Sequence, residues 1–251
     1  MPSFVHYIPI LTTVLAVVFA FVIVPHAARK GWPAYLAWWA IGVVAYGAGT
    51  LTESITTLAG WNEPTFRAWY ISGALLGGAP LAQGTVYLLL KERTADVLSV
   101  LLVGAIGVAS VCILLSPVDA AAAEPHRLSG DVFGWQWVRA FSPFINIYAF
   151  IFLAGGAMWS AWKYRAEAAA RSRYVGNILI AVGALLPGIG GTFTRFGFVE
   201  VLYVTELVGL ALIFAGYLVM VRDRSGSIHA AQKAAARHRP GEASGRRPVL
   251  A

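Results

Sequence analysis

Charged side chains are scarce in this sequence: Asp, Glu, Lys and Arg together make up 12% of its 251 residues. A soluble domain carries about a quarter charged residues, so the composition argues against a soluble globular protein. The hydrophobic residues, 58% of the chain, fall in blocks of around twenty, the length that crosses a hydrocarbon layer of about 30 Å. We therefore expect an integral membrane protein surrounded by the lipid bilayer.

Other absences narrow the class further. Cys112 is the single cysteine, so no disulfide can form within the chain. The five histidines lack ligand spacing, and we expect no metal and no cofactor such as haem. Residues 1–7 contain no Lys or Arg, which favours a retained first helix over a signal peptide. The basic residues lie between apolar blocks and in the C-terminal segment, which indicates membrane orientation and no binding of nucleic acid.

Seven apolar blocks are separated by polar or glycine- and proline-containing connections. Their approximate bounds are residues 5–24, 33–59, 66–90, 97–115, 138–162, 174–193 and 198–221. We predict an all-α integral membrane protein with a seven-transmembrane domain over residues 1–221. Residues 222–251 are basic and polar, and we predict a disordered cytoplasmic tail, with a short surface helix at about residues 228–237 as the alternative.

The distribution of Lys and Arg predicts the orientation of the seven helices. With the N-terminus outside and the C-terminus in the cytoplasm, fifteen of the 19 basic residues fall on the cytoplasmic side. The remaining four fall outside and are Arg67, Arg127, Arg139 and Arg195. Because cytoplasmic loops carry an excess of Lys and Arg, this bias supports both the count and the orientation. We expect a multi-pass protein of the cell membrane, specifically the plasma membrane.

Two short stretches suggest that the domain is duplicated. Gly49-Thr50-Leu51-Thr52-Glu53 and Gly191-Thr192-Phe193-Thr194-Arg195 each close a block that runs from the inside to the outside. Downstream, Trp69-Tyr70-Ile71-Ser72 matches Leu202-Tyr203-Val204-Thr205. We predict a 3+1+3 arrangement of parallel repeats, with repeat one at about residues 5–90, a connector helix at about 97–115 and repeat two at about 138–221. Sites of such proteins form between the repeats.

This layout is similar to that of opsins and of the SWEET sugar transporters. The seventh block has no lysine that would hold retinal, and no Pro-Gln pair of the PQ-loop type occurs, so the chain departs from both families. Small seven-helix terpene cyclases are similar in size and in carrying acids in helices two and seven, here Glu53 and Glu206.

Ionisable residues within apolar blocks mark the predicted site. Glu206 lies about eight residues into the seventh block, or roughly 10 Å at the helical rise of about 1.5 Å per residue, and such a residue normally has a partner or a function. Glu53 and Arg195 lie near the outer interface, either as an ion pair or as two separately hydrated charges, and Arg195 could instead pair with Glu206. We predict an outward-facing polar pocket with these ligand-binding residues: Glu53, Arg195, Glu206, Tyr203, Tyr70, Asn146, Thr50 and Thr192.

Three further features concern helix packing. The Pro187-Gly188-Ile189-Gly190-Gly191 run predicts a bend in the sixth helix. The glycines of the third, fifth and sixth blocks predict close helix contacts and also permit association between copies of the chain. Gln83 is expected to form a hydrogen bond between helices.

The sequence leaves three functions open. The first is a transporter or receptor-like sensor that binds a small or lipophilic molecule between the repeats. The second is a membrane-embedded enzyme that uses Glu206 and Glu53 for acid catalysis on a terpenoid-like substrate. The third is a structural membrane subunit.

Overall fold

The apolar blocks fold as helices, and the computed structural model describes them over residues 4–125, 128–194 and 196–237. Two π-helical turns, Tyr70–Leu75 and Phe150–Gly155, lie within the third and the fifth of these blocks. Within the described ranges there is no β-strand, only an isolated bridge between Val118 and Phe133. The helices are α1 Ile8–Arg29, α2 Ala34–Ala59, α3 Glu63–Trp69, α4 Ala79–Leu89, α5 Glu92–Leu115, α6 Phe141–Ala149, α7 Gly156–Tyr164, α8 Arg171–Thr194 and α9 Val199–Arg237.

Six helical segments of the described chain are long and apolar enough to cross a membrane. They are Phe4–Arg29, Ala34–Ala59, Glu92–Leu115, Gln136–Tyr164, Arg171–Thr194 and Val199–Asp223. Each overlaps one of the predicted blocks. This architecture is compatible with a multi-pass membrane protein.

The remaining predicted block, at about residues 66–90, is not one continuous helix. It is divided into α3, the Tyr70–Leu75 turn and α4. Gly77 and Gly78 lie at the division, where glycine adds backbone freedom that disfavours a helix. Pro80 follows them and lacks the N–H that a continuous helix would donate to Leu76. The third predicted helix is therefore interrupted, and the count of seven membrane-spanning helices stays a prediction.

The last helix is longer than the seventh predicted block. α9 continues as helical backbone to Arg237, so residues 222–237 of the predicted disordered tail are helical, including the stretch of the alternative surface helix. Residues 238–251 lie outside the described chain. The predicted bend at Pro187 stays a prediction, because α8 is assigned as one helix through that residue.

The helices form a ring around a buried centre. α1 packs on α2, α2 on α4, α4 on α6 and α7, α7 on α8, α8 on α9, and α9 again on α1. α5 packs on α4 and α6. In the most apolar 18-residue window of each helix, α2 buries 56% of its residues and α5 buries 17%. α2 is therefore the central helix and α5 a peripheral one.

Hydrogen bonds identify which helix ends lie together. Thr57 Oγ1 donates to the carbonyl of His6 at 3.0 Å, and Arg67 Nη2 donates to the carbonyl of Ser116 at 2.8 Å. The start of α1, the end of α2 and the end of α5 therefore share one end of the bundle, which we call the N-terminal face. The other end, which contains Arg29, Lys91, Lys163 and Arg173, we call the basic face.

Large apolar side chains cover much of the outer surface. Val14, Phe21, Val44 and Val100 are all exposed, as are many others along the helices. An exposed apolar surface of this extent is unusual for a soluble monomer and is expected where lipid replaces water.

Glycines allow the backbones of α8 and α9 to approach closely. A Cβ on Gly183 would lie 2.6 Å from the carbonyl oxygen of Gly209, and a Cβ on Gly176 would lie 2.9 Å from that of Gly216. No larger residue fits these positions without a shift of backbone. Close contact through glycine, which the sequence predicted from other glycines of α7 and α8, is thus present here at Gly176, Gly183, Gly209 and Gly216.

Candidate functional site

Two buried carboxyl groups meet between α2 and α9. Glu53 is 3% exposed, and its Oε1 accepts a hydrogen bond of 2.9 Å from Trp69 Nε1. The Glu206 carboxyl lies beside that of Glu53, close enough for a hydrogen bond when the two groups hold a proton between them. Each residue has an Oε2 atom that is buried without a hydrogen-bond partner in the described chain. We call Glu53 and Glu206 the acidic pair.

The chemistry of the acidic pair follows from this geometry. Two carboxylates in contact and out of water repel each other, whereas one shared proton converts the contact into a hydrogen bond. Neither Glu53 nor Glu206 forms an ion pair with a Lys or Arg within the described part of the chain. The pair is therefore suited to hold and release a proton.

The depth of the acidic pair differs from the sequence-based expectation. Glu53 was expected near the interface and Glu206 deeper in the membrane. Glu53 lies six residues before the end of α2 and Glu206 seven residues after the start of α9, so each is about 10 Å from the N-terminal face at a rise of about 1.5 Å per residue. Equal depth on antiparallel neighbours is what brings the carboxyls together.

Hydroxyl groups link α1, α2 and α9 around the pair. The Tyr46 hydroxyl donates to the backbone carbonyl of Glu206 at 3.1 Å. Thr13 Oγ1 donates to Thr50 Oγ1 at 3.0 Å and lies 3.4 Å from Ser54 Oγ. Three helices are thus joined by polar contacts in the half of the bundle that holds the carboxyls, and Tyr46 and Thr13 are members that the sequence did not single out.

Four of the predicted ligand-binding residues therefore lie in one half of the bundle on α2 and α9. Thr50 is 3% exposed and bonded to Thr13. Tyr203 is buried one turn before Glu206, and its ring meets that of His6 edge to face at 5.9 Å. Thr50, Tyr203 and the acidic pair are thus the predicted ligand-binding residues that the structure brings together.

Three other predicted residues lie apart from the acidic pair. Tyr70 is buried in an aromatic cluster, with its ring 4.9 Å from that of Phe133. Asn146 is exposed on α6, and its Nδ2 donates to the carbonyl of Ala74 at 3.2 Å. Thr192 is exposed and donates to the carbonyl of Gly188 within α8 at 2.9 Å. Arg195 lies outside the described residues, so its pairing with Glu53 or Glu206 stays a prediction.

A cavity of about 400 Å³ opens at the basic face, the opposite end from the predicted outward pocket. It lies between the α1, α2 and α4 side of the ring and the α7, α8 and α9 side. None of the predicted ligand-binding residues lines it, because it forms where the ends of six helices meet and carries no local sequence signal. Its polar lining residues are His26, Tyr35, Thr85, Ser160, Lys163, Tyr164, Arg173, Asn177 and Tyr217.

Aromatic and polar contacts shape the floor and the rim of this cavity. His26 Nδ1 and the Tyr217 hydroxyl share a hydrogen bond, and the Tyr217 ring stacks on Trp39 at 6.3 Å. At the rim, the guanidinium of Arg173 lies over the ring of Tyr164 at 5.5 Å. The floor is thus aromatic and the rim basic.

An apolar layer separates the cavity from the acidic pair. Phe19, Val43, Leu210 and Ile213 are each 2% exposed or less. Glu206 and Tyr217 are eleven residues apart on α9, or about 16 Å along its axis. The layer therefore divides a polar half near the N-terminal face from a cavity at the basic face.

Gln83 forms the interhelical hydrogen bonds that the sequence predicts. Its Nε2 donates to the carbonyl of Ala95 at 3.0 Å and to Ser99 Oγ at 2.7 Å, both on α5. Its Oε1 accepts from the hydroxyl of Tyr148 on α6. Gln83 thereby joins three helices and satisfies its buried amide, which confirms the prediction.

Two comparisons with known proteins give no match for this chain. No model of a known protein family matches it, and no curated protein matches it. Among the described residues no group of three or more His, Cys, Asp or Glu side chains is arranged to hold a metal ion.

Proposed function

We propose that the chain crosses the membrane seven times, with residues 63–89 as a broken third crossing. α2 and α5 both end at the N-terminal face, because Trp61 N donates to Pro125 O and Arg67 Nη2 to Ser116 O. α5 has 24 residues, about 36 Å at the helical rise, so it begins at the other face, where Gln83 bonds to Ala95. Residues 63–89 must then connect the two faces.

The ring order supports two three-helix sets. The first set is α1, α2 and the α3–α4 segment, and the second is the α6–α7 segment, α8 and α9, with α5 outside the ring. This is the arrangement expected of parallel repeats joined by a connector helix. The excess of Lys and Arg places the basic face in the cytoplasm.

We propose that the chain is a proton-coupled carrier of a small molecule in the plasma membrane, with its transport path between these two sets. The observation that carries this proposal is the acidic pair, which brings one buried carboxyl from each set into contact. Ionisable residues inside a membrane commonly serve proton or ion pathways. Since the contact spans the two sets, gain or loss of the shared proton changes how strongly they attract each other.

The rest of the bundle supports alternating access. The cavity between the sets is open at the basic face, and the apolar layer of Phe19, Val43, Leu210 and Ile213 closes the path toward the acidic pair. Rocking of one set against the other would exchange the open end. The predicted outward pocket then belongs to the second state, with the acidic pair at its base.

The alternative function, acid catalysis, requires a carboxyl group that reaches the bound substrate. A general acid must come within hydrogen-bond reach of its substrate. The cavity at the basic face is lined by neither Glu53 nor Glu206. The geometry therefore favours the carrier over the enzyme.

The test uses inverted membrane vesicles whose interior is acidified by respiration and monitored with an acridine dye. A panel of organic anions, cations and neutral solutes is added one at a time. We expect at least one solute to dissipate the proton gradient in wild-type vesicles, and Glu206→Gln to abolish this response because the amide cannot carry the proton. Glu200→Gln, an exposed position on the same helix, is the matched control and should respond as wild type.

Two results would refute the carrier. One is a gradient that no solute dissipates in vesicles shown to contain folded protein. The other is a Glu206→Gln response equal to that of wild type. A new lipophilic product in the expressing cells, lost in Glu206→Gln, would favour the enzyme instead.

A further inference from the structure

The charge at the cavity mouth selects the sign of a ligand. Lys163 and Arg173 are exposed residues of its lining, and none of the described lining residues is acidic. Neither Lys163 nor Arg173 forms an ion pair within the described part of the chain. Two cations without a carboxylate repel a cationic ligand and attract an anionic one.

The walls select a ligand with an apolar body. Trp39, Tyr217, Leu36 and Ile180 line the interior, and the rings of Trp39 and Tyr217 are stacked. Aromatic walls with a few polar groups are typical of small-molecule sites, whose volumes run from about 300 to 1,000 Å³. A cavity of about 400 Å³ fits a compact organic molecule and is too large and apolar for an inorganic anion.

We propose that this cavity binds a small organic anion, with its carboxylate or sulfonate at Lys163 and Arg173 and an aromatic or branched body against the stacked side chains of Trp39 and Tyr217. The inference deepens the proposed function, on which it rests for the view that the bound anion is cargo. Ser160 and Asn177 lie beside the cations and supply further hydrogen-bonding groups. Two sources share this chemistry: a soluble organic acid and the anionic headgroup of a lipid.

Binding is tested by calorimetric titration of the whole chain purified in an uncharged detergent. The probes are 3-phenylpropionate, its amide and 3-phenylpropylamine, which have similar bodies but negative, neutral and positive heads. We expect the anion to bind at least tenfold more tightly than the other two. Added salt should weaken the anion further, since both cations are exposed to solvent.

Substitutions at the rim and in the wall locate the site. The double variant Lys163→Gln/Arg173→Gln should weaken 3-phenylpropionate at least tenfold, whereas Arg171→Gln, an exposed cation one half-turn away that does not line the cavity, should not. Ser160→Phe places a ring in the cavity and should prevent binding. Met158→Phe, on the exposed side of the same helix, is its control.

The source of the anion is distinguished in lipid nanodiscs. If 3-phenylpropionate binds more weakly in nanodiscs that contain phosphatidylglycerol than in nanodiscs of phosphatidylcholine alone, the lipid headgroup competes for the site and is the natural ligand. Equal binding in both lipids identifies a soluble acid. Equal affinities for the three probes, no binding of the anion, or an unchanged Ser160→Phe variant would overturn the proposal. The carrier proposal is tested separately, since it is refuted if no solute dissipates the proton gradient in the vesicle assay.

Discussion

Trp69 donates a hydrogen bond that offsets part of the cost of burying the Glu53 carboxyl. Its indole N–H donates to Glu53 Oε1 at 2.9 Å. The ion pair with Arg195, one of the two alternatives from the sequence, stays a prediction because Arg195 lies outside the described residues. A neutral donor bonds both the protonated acid and the carboxylate, and it favours the ionised form less strongly than a cation would. A cation in the same place would hold Glu53 ionised. The choice of donor therefore suits a group that exchanges a proton.

Replacing this donor should reduce stability. Trp69→Phe retains an aromatic ring but leaves Glu53 Oε1 without its donor, at an expected loss of about 1–3 kcal/mol. Thermal unfolding in detergent measures the effect. Trp61→Phe is the matched control, because Trp61 Nε1 is buried with no partner in the described chain. Its substitution should be neutral or stabilising. Equal losses in the two variants would show that the Trp69–Glu53 bond contributes nothing.

At the scale of whole elements, the two similar stretches, at residues 49–53 in the second half of α2 and at residues 191–195 at the end of α8, differ in the described surroundings of their first glycines. A Cβ on Gly49 would lie 2.9 Å from the Cα of Gly73, in the π-helical turn that divides the third crossing. A Cβ on Gly191 would meet nothing within 4 Å. The first stretch thus holds a broken segment against the central helix, and the second has no such contact in the described chain.

This difference predicts opposite effects of the same substitution. Gly49→Ala should destabilise the protein by about 1–3 kcal/mol, since the added methyl forces two backbones apart. Gly191→Ala should be neutral or stabilise α8 by up to about 1 kcal/mol, because alanine has the better helix propensity. Chemical denaturation monitored by tryptophan fluorescence compares them. Similar effects at both positions would mean that Gly49 does not pack as described.

The division of residues 63–89 into two helices and a π-helical turn could not be predicted from hydropathy. Apolar composition predicts a membrane crossing at residues 66–90 but carries no information about hydrogen bonding along the backbone. The π-helical turn at Tyr70–Leu75 places Gly73 against α2 and Trp69 within reach of Glu53. Irregular helical turns of this kind are frequent at functional sites. Here the irregularity is what supplies the donor to the acidic pair.

For the whole molecule, the sequence predicts the positions of crossings better than their contacts. Burial of apolar surface in lipid depends on composition over about twenty residues, so every span-length helix overlaps a predicted block. The contact between Glu53 and Glu206 depends on the rotation of α2 and α9 about their axes, which composition does not specify. Gln83 was predictable because a buried amide must find partners. The cavity was not, because six helix ends form it together.

The seven-crossing topology makes a prediction for labelling in intact cells. In a Cys112→Ala background, single cysteines are placed at Pro64 and Ala121 on the N-terminal face and at Lys91 and Glu167 on the basic face, all exposed positions. A membrane-impermeant maleimide should label the first two from outside. The last two should react only after the cells are permeabilised, because the excess of Lys and Arg predicts a cytoplasmic basic face.

The pair Pro64 and Lys91 decides the number of crossings. If residues 63–89 cross the membrane, these two cysteines react from opposite sides. If the segment enters and returns, leaving six crossings, they react from the same side, and α5 must then start at the face where α2 ends. That outcome would separate Arg67 from Ser116, because the contact of Gln83 with Ala95 and that of Arg67 with Ser116 lie at opposite ends of α5. A 24-residue helix cannot place both ends at one face, so we expect labelling from opposite sides.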